Sequence, residues 1–211
     1  VEFSRAGKQL EGDIASLTVA FARVVCELTP SLFSMENVPD LVDSKAFRGA
    51  ADILTESGYS FCTLVRDAKH CGVPQARRRV FVVGCAATPA NEAALHALMA
   101  SNAKKPPLRS IRDACAAIDL ACPGFLFFPA RNKFQSQVIP TDGVYPTMRS
   151  SNGICLQINP YAGGAPGRVR RPNETAAIER AETMSVELAS CIASFPRSFD
   201  WSACTRRQIG V

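Results

Sequence analysis

Histidine is almost missing from this sequence, with two in 211 residues. Nine cysteines are present, but no two stand as Cys-x-x-Cys. That spacing and the shortage of histidine exclude the common zinc motifs, and no metal is expected. The odd cysteine count speaks against a disulfide framework. Apolar settings such as Val25-Cys26-Glu27 and Ile154-Cys155-Leu156 point to reduced, buried thiols in an intracellular protein. No apolar run nears the roughly 18 residues that span a bilayer, and the opening Val1-Glu2-Phe3-Ser4 is not a secretory leader. A cytoplasmic location and no membrane partner are therefore expected. No Gly-rich phosphate loop occurs, which argues against a module that holds a cofactor phosphate. Internal repeats and low-complexity tracts are absent too. Charge is sparse, at 20% of residues and +5 net, which permits a polyanionic partner without requiring one.

What is present is enough apolar residue, 47%, for a real core. Leu17 to Leu28 carries a helical period, with Leu17, Phe21, Val24, Val25 and Leu28 on one face, and Pro30 ends it. Leu32, Phe33 and Met35 form a short strand between Pro30 and Pro39, stopping at Glu36. Phe47 to Ser57 reads as a second amphipathic helix closed by Gly58. Tyr59 to Val65 and Val80 to Val83 read as strands, the latter ending at Gly84. Helix, strand, helix, strand, strand is the alternation of an α/β sheet. Beyond Gly84 the character changes. An Ala-rich helix spans Asn91 to Asn102, and the linker Lys104-Lys105-Pro106-Pro107 follows. A short helix is expected over Ile111 to Leu120, and Ser185 to Ser194 is helical. Between them, Pro123 to Pro172 reads as a loop-dominated small domain with strand-like pieces at Phe125 to Phe128 and Ile154 to Ile158. Residues 131–180 are rich in arginine.

Two stretches carry chemistry. In an open α/β sheet, ligands bind beyond the carboxyl ends of the strands. Glu36 sits at such an end, where it either serves as an acid or merely caps the next turn. The second stretch is Cys71-Gly72-Val73-Pro74-Gln75-Ala76-Arg77-Arg78-Arg79. A period of two entering the Val80 strand puts Arg77 and Arg79 on one face. Two guanidiniums side by side are tolerable if a carboxylate or a phosphate lies between them. The alternative is a solvated basic edge that discourages pairing.

Taken together and in order, these residues resemble the C5-cytosine DNA methyltransferase family. The resemblance rests on Glu36-Asn37-Val38 and on Gly72-Val73-Pro74-Gln75-x-Arg77-x-Arg79. It extends to Phe3-Ser4-x-Ala6-Gly7-Lys8, Tyr145-Pro146-Thr147, Phe195-Pro196 and Gln208-Ile209-Gly210. It implies transfer of a methyl group from S-adenosylmethionine to C5 of a cytosine flipped out of duplex DNA, as in restriction-modification systems of bacteria or phage. By that resemblance Glu36 is the acid at cytosine N3, and Asn37 braces the pocket. Arg77 and Arg79 contact the flipped nucleotide, and Leu17 touches the cofactor. Ser4, Lys8, Gln75, Thr147 and Arg149 face DNA.

The implied fold is α/β, the C-terminal half of a Rossmann-like SAM-dependent methyltransferase domain plus a small loop-rich target-recognition domain. The expected division is 1–85 catalytic, 86–180 target recognition and 181–211 a closing helix that returns to the catalytic domain. The sequence also departs from the family. Its nucleophilic Pro-Cys pair would fall just before Val1, none of the nine cysteines takes its place, and its Gly-rich cofactor loop is missing. The family's Asn after Gly210 is missing, and Glu187 stands one position early with Leu188 in the usual acid's place. The chain thus looks truncated, and alone it is expected to be inactive. Two other roles stay open: a DNA-binding subunit of a split methyltransferase that needs a complementary N-terminal fragment, and an RNA cytosine-5 methyltransferase.

Overall fold

The computed structural model describes residues 13–100, 107–128, 137–148, 156–158, 167–168 and 182–203. In chain order its elements begin with α1 (Asp13–Leu28), β1 (Leu32–Asn37), α2 (Lys45–Glu56), β2 (Tyr59–Asp67), β3 (Gln75–Ala76), β4 (Arg78–Ala86) and α3 (Pro89–Ala100). They continue with α4 (Ile111–Ala116), β5 (Phe125–Phe128), β6 (Gln137–Pro140), β7 (Tyr145–Pro146), β8 (Leu156–Ile158), β9 (Gly167–Arg168), β10 (Glu182–Thr183) and α5 (Val186–Ile192). They fall into two compact units, Val1–Asp67 with Arg78–Lys105, and Ala68–Arg77 with Pro106–Val211.

The first unit is a three-stranded sheet in the order β1-β4-β2. β4 runs antiparallel to both neighbours, so β1 and β2 are parallel to each other with α2 as their crossover. The inserted reversed strand departs from the all-parallel arrangement that the open-sheet argument assumed. Strand alternation gives the sheet two buried faces. On one, Phe33, Tyr59 and Val82 pack with Ala22 and Val25 of α1 and Ala50 and Leu54 of α2. On the other, Cys62, Leu64 and Cys85 pack with Leu95 of α3. Buried on both faces, β4 needs an almost unbroken apolar run, and Val80-Phe81-Val82-Val83 supplies it.

Local chemistry sets the ends. The Ser44 hydroxyl accepts from Phe47 N at 3.0 Å and caps α2, a contact worth about 1 kcal/mol. Gly58, at φ +79°, turns the chain out of that helix. Thr29, at φ 45°, does the same after α1 although it carries a Cβ. Its N–H donates to Val25 O at 2.9 Å.

The α1 face needs correction. Its buried stripe is Thr18, Ala22 and Val25, whereas Leu17 is 63% and Leu28 71% exposed, and Val24 is exposed as well. α1 packs inward through Ala22 and Val25, with Phe21 against the ring of Phe33, while Leu17, Val24 and Leu28 turn outward.

The second unit holds a five-stranded sheet in the order β10-β8-β5-β6-β9, antiparallel throughout. The stretch read as loop-dominated thus contributes four of those strands. Pieces of two to four residues are too short for a period of two to register against Gly, Pro and Asn. Ile111, Ala114 and Cys115 of α4 meet Leu126, Tyr145, Leu188 and Ile192 in one core. Ser110 and Asp113 form a reciprocal capping box at the start of α4. That helix is shorter than expected, because Leu120 N turns back to Cys115 O at 2.9 Å. β4, likewise, continues past Gly84 to Ala86.

Candidate active site

Glu36 is the penultimate residue of β1, and it shares a sheet face with Phe81, its register partner, and with Arg79 two residues before Phe81 on β4. That diagonal brings Arg79 Nε within 2.7 Å of Glu36 Oε1. Arg79 Nη1 also donates to Arg78 O at 2.7 Å, so the guanidinium is held at two points. The arginine side chain is 19% exposed and the glutamate 46%. The pair is therefore gripped on the protein side and open on the other, and among the described residues Glu36 Oε2 has no partner. A half-exposed ion pair contributes no more than about 1 kcal/mol to folding. What it does is hold a carboxyl group in one orientation at the end of a strand.

Asn37 lies on the opposite face. Its Oδ1 accepts from Val38 N at 2.8 Å, which fixes the chain as it leaves β1 for the 3-10 turn Pro39–Asp43.

In the second unit, the Gly-Val-Pro-Gln turn is tied to the Tyr145-Pro146-Thr147 stretch. β3 and β7 pair in parallel, Gln75 with Tyr145 and Ala76 with Pro146. Tyr145 N donates to Pro74 O at 2.9 Å, and the Thr147 hydroxyl donates to Ala76 O at 2.6 Å. Gln75 is only 3% exposed, so its side chain belongs to the interior of this unit. Two segments about seventy residues apart, each singled out by motif, are thus one piece of structure.

Arg77 needs a second correction. It is not part of a continuous strand with Arg79: it falls between β3 and β4, and its carbonyl accepts from Ala68 N at 3.0 Å to close the 68–77 loop. Arg77 belongs to the second unit and the Glu36–Arg79 pair to the first. Leu17 stands on the exposed face of α1. Ser4, Lys8 and Arg149 lie outside the described residues, as does most of the arginine-rich 131–180 segment.

Register adds a residue that the motif reading passed over. Arg66 on β2 is the direct partner of Arg79, on the same face as Glu36. Nothing in the local sequence Leu64-Val65-Arg66-Asp67 signals it; only the pairing does.

The described thiols do not suit nucleophilic attack when they are buried. Cys62 is pushed up by burial and by Cys85 beside it. Cys115 is pushed up by burial and by the neighbouring Cys191 and Cys122, and Cys191 is pushed up by burial. A reactive thiol needs the reverse environment. Among the described residues no three His, Cys, Asp or Glu side chains converge as a metal would require. No described helix is long and apolar enough to cross a membrane.

Over 84 residues the chain is 45% identical to the type II methyltransferase M.HgiDI of Herpetosiphon aurantiacus, a match covering 39% of this chain and 27% of that protein. It is 37% identical over 84 residues to the type II methyltransferase M.HindV of Haemophilus influenzae, covering 39% and 28%. The matched region thus spans only a little over a quarter of those relatives' length. Among solved structures, the Entamoeba histolytica methyltransferase EhMeth superposes with a TM-score of 0.64 at 15% identity, over 99% of this chain and 67% of that one. A DNMT2 variant from Spodoptera frugiperda does so with a TM-score of 0.55 at 13% identity, over 99% and 70%. These likenesses establish the mixed α/β, Rossmann-like methyltransferase fold. Residues 1–120, more than half the chain and the part that holds Glu36 and Arg79, match the model of the C-5 cytosine-specific DNA methylases. The chain belongs to that family.

Proposed function

We propose that this chain supplies the base-handling residues of a DNA (cytosine-5-)-methyltransferase, which moves a methyl group from S-adenosylmethionine to C5 of a cytosine flipped out of duplex DNA in the cytoplasm. The observation that carries this reading is the Glu36–Arg79 pair, a carboxyl group held by a guanidinium at a strand end with one oxygen open. Cytosine C5 is a poor nucleophile until a thiolate adds at C6 and pushes electrons into the ring. A carboxyl at N3 relieves the charge that develops there by giving or sharing a proton. Glu36 Oε2 is the atom free to do so. Arg79 keeps that oxygen in place and brings a positive charge beside the ring's oxygen. Asn37, by fixing Val38 N, keeps the strand end rigid.

The pair of tied segments is the second part of this reading. Gln75, buried, holds the 74–76 turn, and Thr147 locks it, so that Arg77 leaves the turn in one direction. Ser4, Lys8 and Arg149 are assigned to the DNA backbone, with Thr147 beside it, and target recognition to the part of residues 86–180 beyond α3, since α3 packs on the first unit's sheet through Leu95. When bound, the methyl donor supplies an electrophilic methyl group on sulfur. Leu17, apolar and exposed on α1, is the described residue that would meet it.

The test is Glu36→Gln in the intact protein. General acid catalysis is worth roughly 10²–10⁴-fold, and methyl transfer to unmethylated duplex DNA should fall by that factor with DNA binding retained. Near-normal turnover would remove Glu36 from the chemistry. Labelling of cytosine-containing RNA in preference to DNA would change the substrate class.

A further inference from the structure

We propose that Arg66 is an additional contact of this site for the anionic backbone of the nucleic acid, seating one phosphate beside the Glu36–Arg79 pair. The proposal rests on the methyltransferase reading above and extends it to a residue outside the family motifs quoted for this chain. Arg66 and Arg79 are direct register partners across β2 and β4. Directly opposed side chains on one face stand about 4.5–5.5 Å apart at Cβ, and like charges so placed are destabilising.

The neighbouring cations are placed differently. Arg78, one residue before Arg79 and on the other face, is opposite Asp67, a charge of the opposite sign. Arg79 is neutralised by Glu36 at 2.7 Å. Arg66 is exposed, and among the described residues its guanidinium donates only to the carbonyl of its own neighbour Val65 at 3.2 Å and meets no carboxylate. Two guanidiniums and one carboxylate thus leave one positive charge uncancelled on this sheet face, at the end where Glu36 is open. An exposed residue that faces a like charge contributes little to the fold. A phosphate between Arg66 and Arg79 turns the repulsion into a bridge, because each guanidinium offers a planar fork of donors that fits phosphate oxygens. A flipped nucleotide carries its own two phosphates with it, so a base at Glu36 places such an anion within a side chain's length.

The experiment compares the intact protein with Arg66→Gln and Arg66→Lys. Binding of a mixed-sequence, unmethylated duplex DNA is measured across a salt series, alongside thermal melting and labelled methyl transfer. Each neutralised phosphate contributes about −0.9 to the log–log salt slope. Arg66→Gln should therefore flatten that slope by about one unit, raise KM for DNA and leave kcat unchanged. Its melting temperature should hold or rise, because a like-charge opposition is gone. Arg66→Lys should restore most of the slope. A slope unchanged in Arg66→Gln, or a loss of binding matched by a loss of melting temperature, overturns the proposal. If the wild-type protein binds DNA but transfers no methyl group even with an N-terminal segment that carries the Pro-Cys nucleophile present, the methyltransferase reading fails while the salt series still decides Arg66.

Discussion

The ring of Phe33 on β1 lies against the backbone of Gly84, its register partner on β4, where any Cβ would stand. Phe61, paired with Gly84 from the other side, closes the gap. Phe33 in turn stacks edge-on with Phe21 at 6.0 Å and with Tyr59 at 5.6 Å. The glycine is thus a slot for an aromatic ring in the middle of a buried strand. Gly84→Ala would drive its methyl group into that ring. Overpacking of this kind costs about 1–3 kcal/mol, to be seen as a lower urea midpoint for the first unit. A midpoint equal to wild type would mean that the ring moves aside freely.

Arginine at position 79 makes two hydrogen bonds in different directions, one to Glu36 and one to Arg78 O. Lysine reaches only one, since its ammonium lacks the fork. Arg79→Lys should change stability by less than about 1 kcal/mol and yet lower methyl transfer sharply, with a smaller effect on DNA affinity. If transfer persists, the orientation of Glu36 does not depend on this pair.

Thr147 joins its strand to the Gly-Val-Pro-Gln turn through one hydroxyl. Thr147→Val keeps the shape but strands the Ala76 carbonyl, at a cost of about 1–3 kcal/mol if that group stays dry. Hydrogen exchange at the Tyr145 amide, bonded to Pro74 O, should speed up in this variant and recover in Thr147→Ser. Equal protection in all three proteins would count against the tie.

Cys115 and Cys191 face each other with sulfurs 3.9 Å apart in the second unit's core. Burial pushes both thiols up from their ordinary range. In the unfolded chain they ionise near pH 8.5, so above that pH the unfolded state binds fewer protons than the folded one. Stability should therefore be fully present below about pH 8.5 and decline as pH rises. Replacing both with Ala lowers stability overall but should flatten this alkaline decline. A denaturation series from pH 7 to 10 that shows the same slope for both proteins would sink the claim.

How much of this was legible beforehand varied with the kind of signal. α2 was readable because its cap, its period and its closing glycine all agree over Ser44 to Gly58. β4 was readable because a strand covered on both faces needs continuous Val and Phe. The second unit's sheet was not, since β8 and β9 are three and two residues long and leave no periodic trace. The face of α1 was misjudged for a related reason: helical period groups Leu17, Val24 and Leu28 correctly, but whether that group faces inward depends on what packs there.

The sequence by itself determined the family, because Glu36-Asn37-Val38 and the Gly72–Arg79 stretch recur at the right separation and order, and chemistry fixes which side chains can do the work. It determined most elements of the first unit as well, through capping and period, which are local. Tertiary structure alone decided which charges meet. Strand pairing is a long-range choice of register, and a slip of one residue turns every side chain to the other face. That choice put Arg79 on Glu36 and set Arg66 against a like charge.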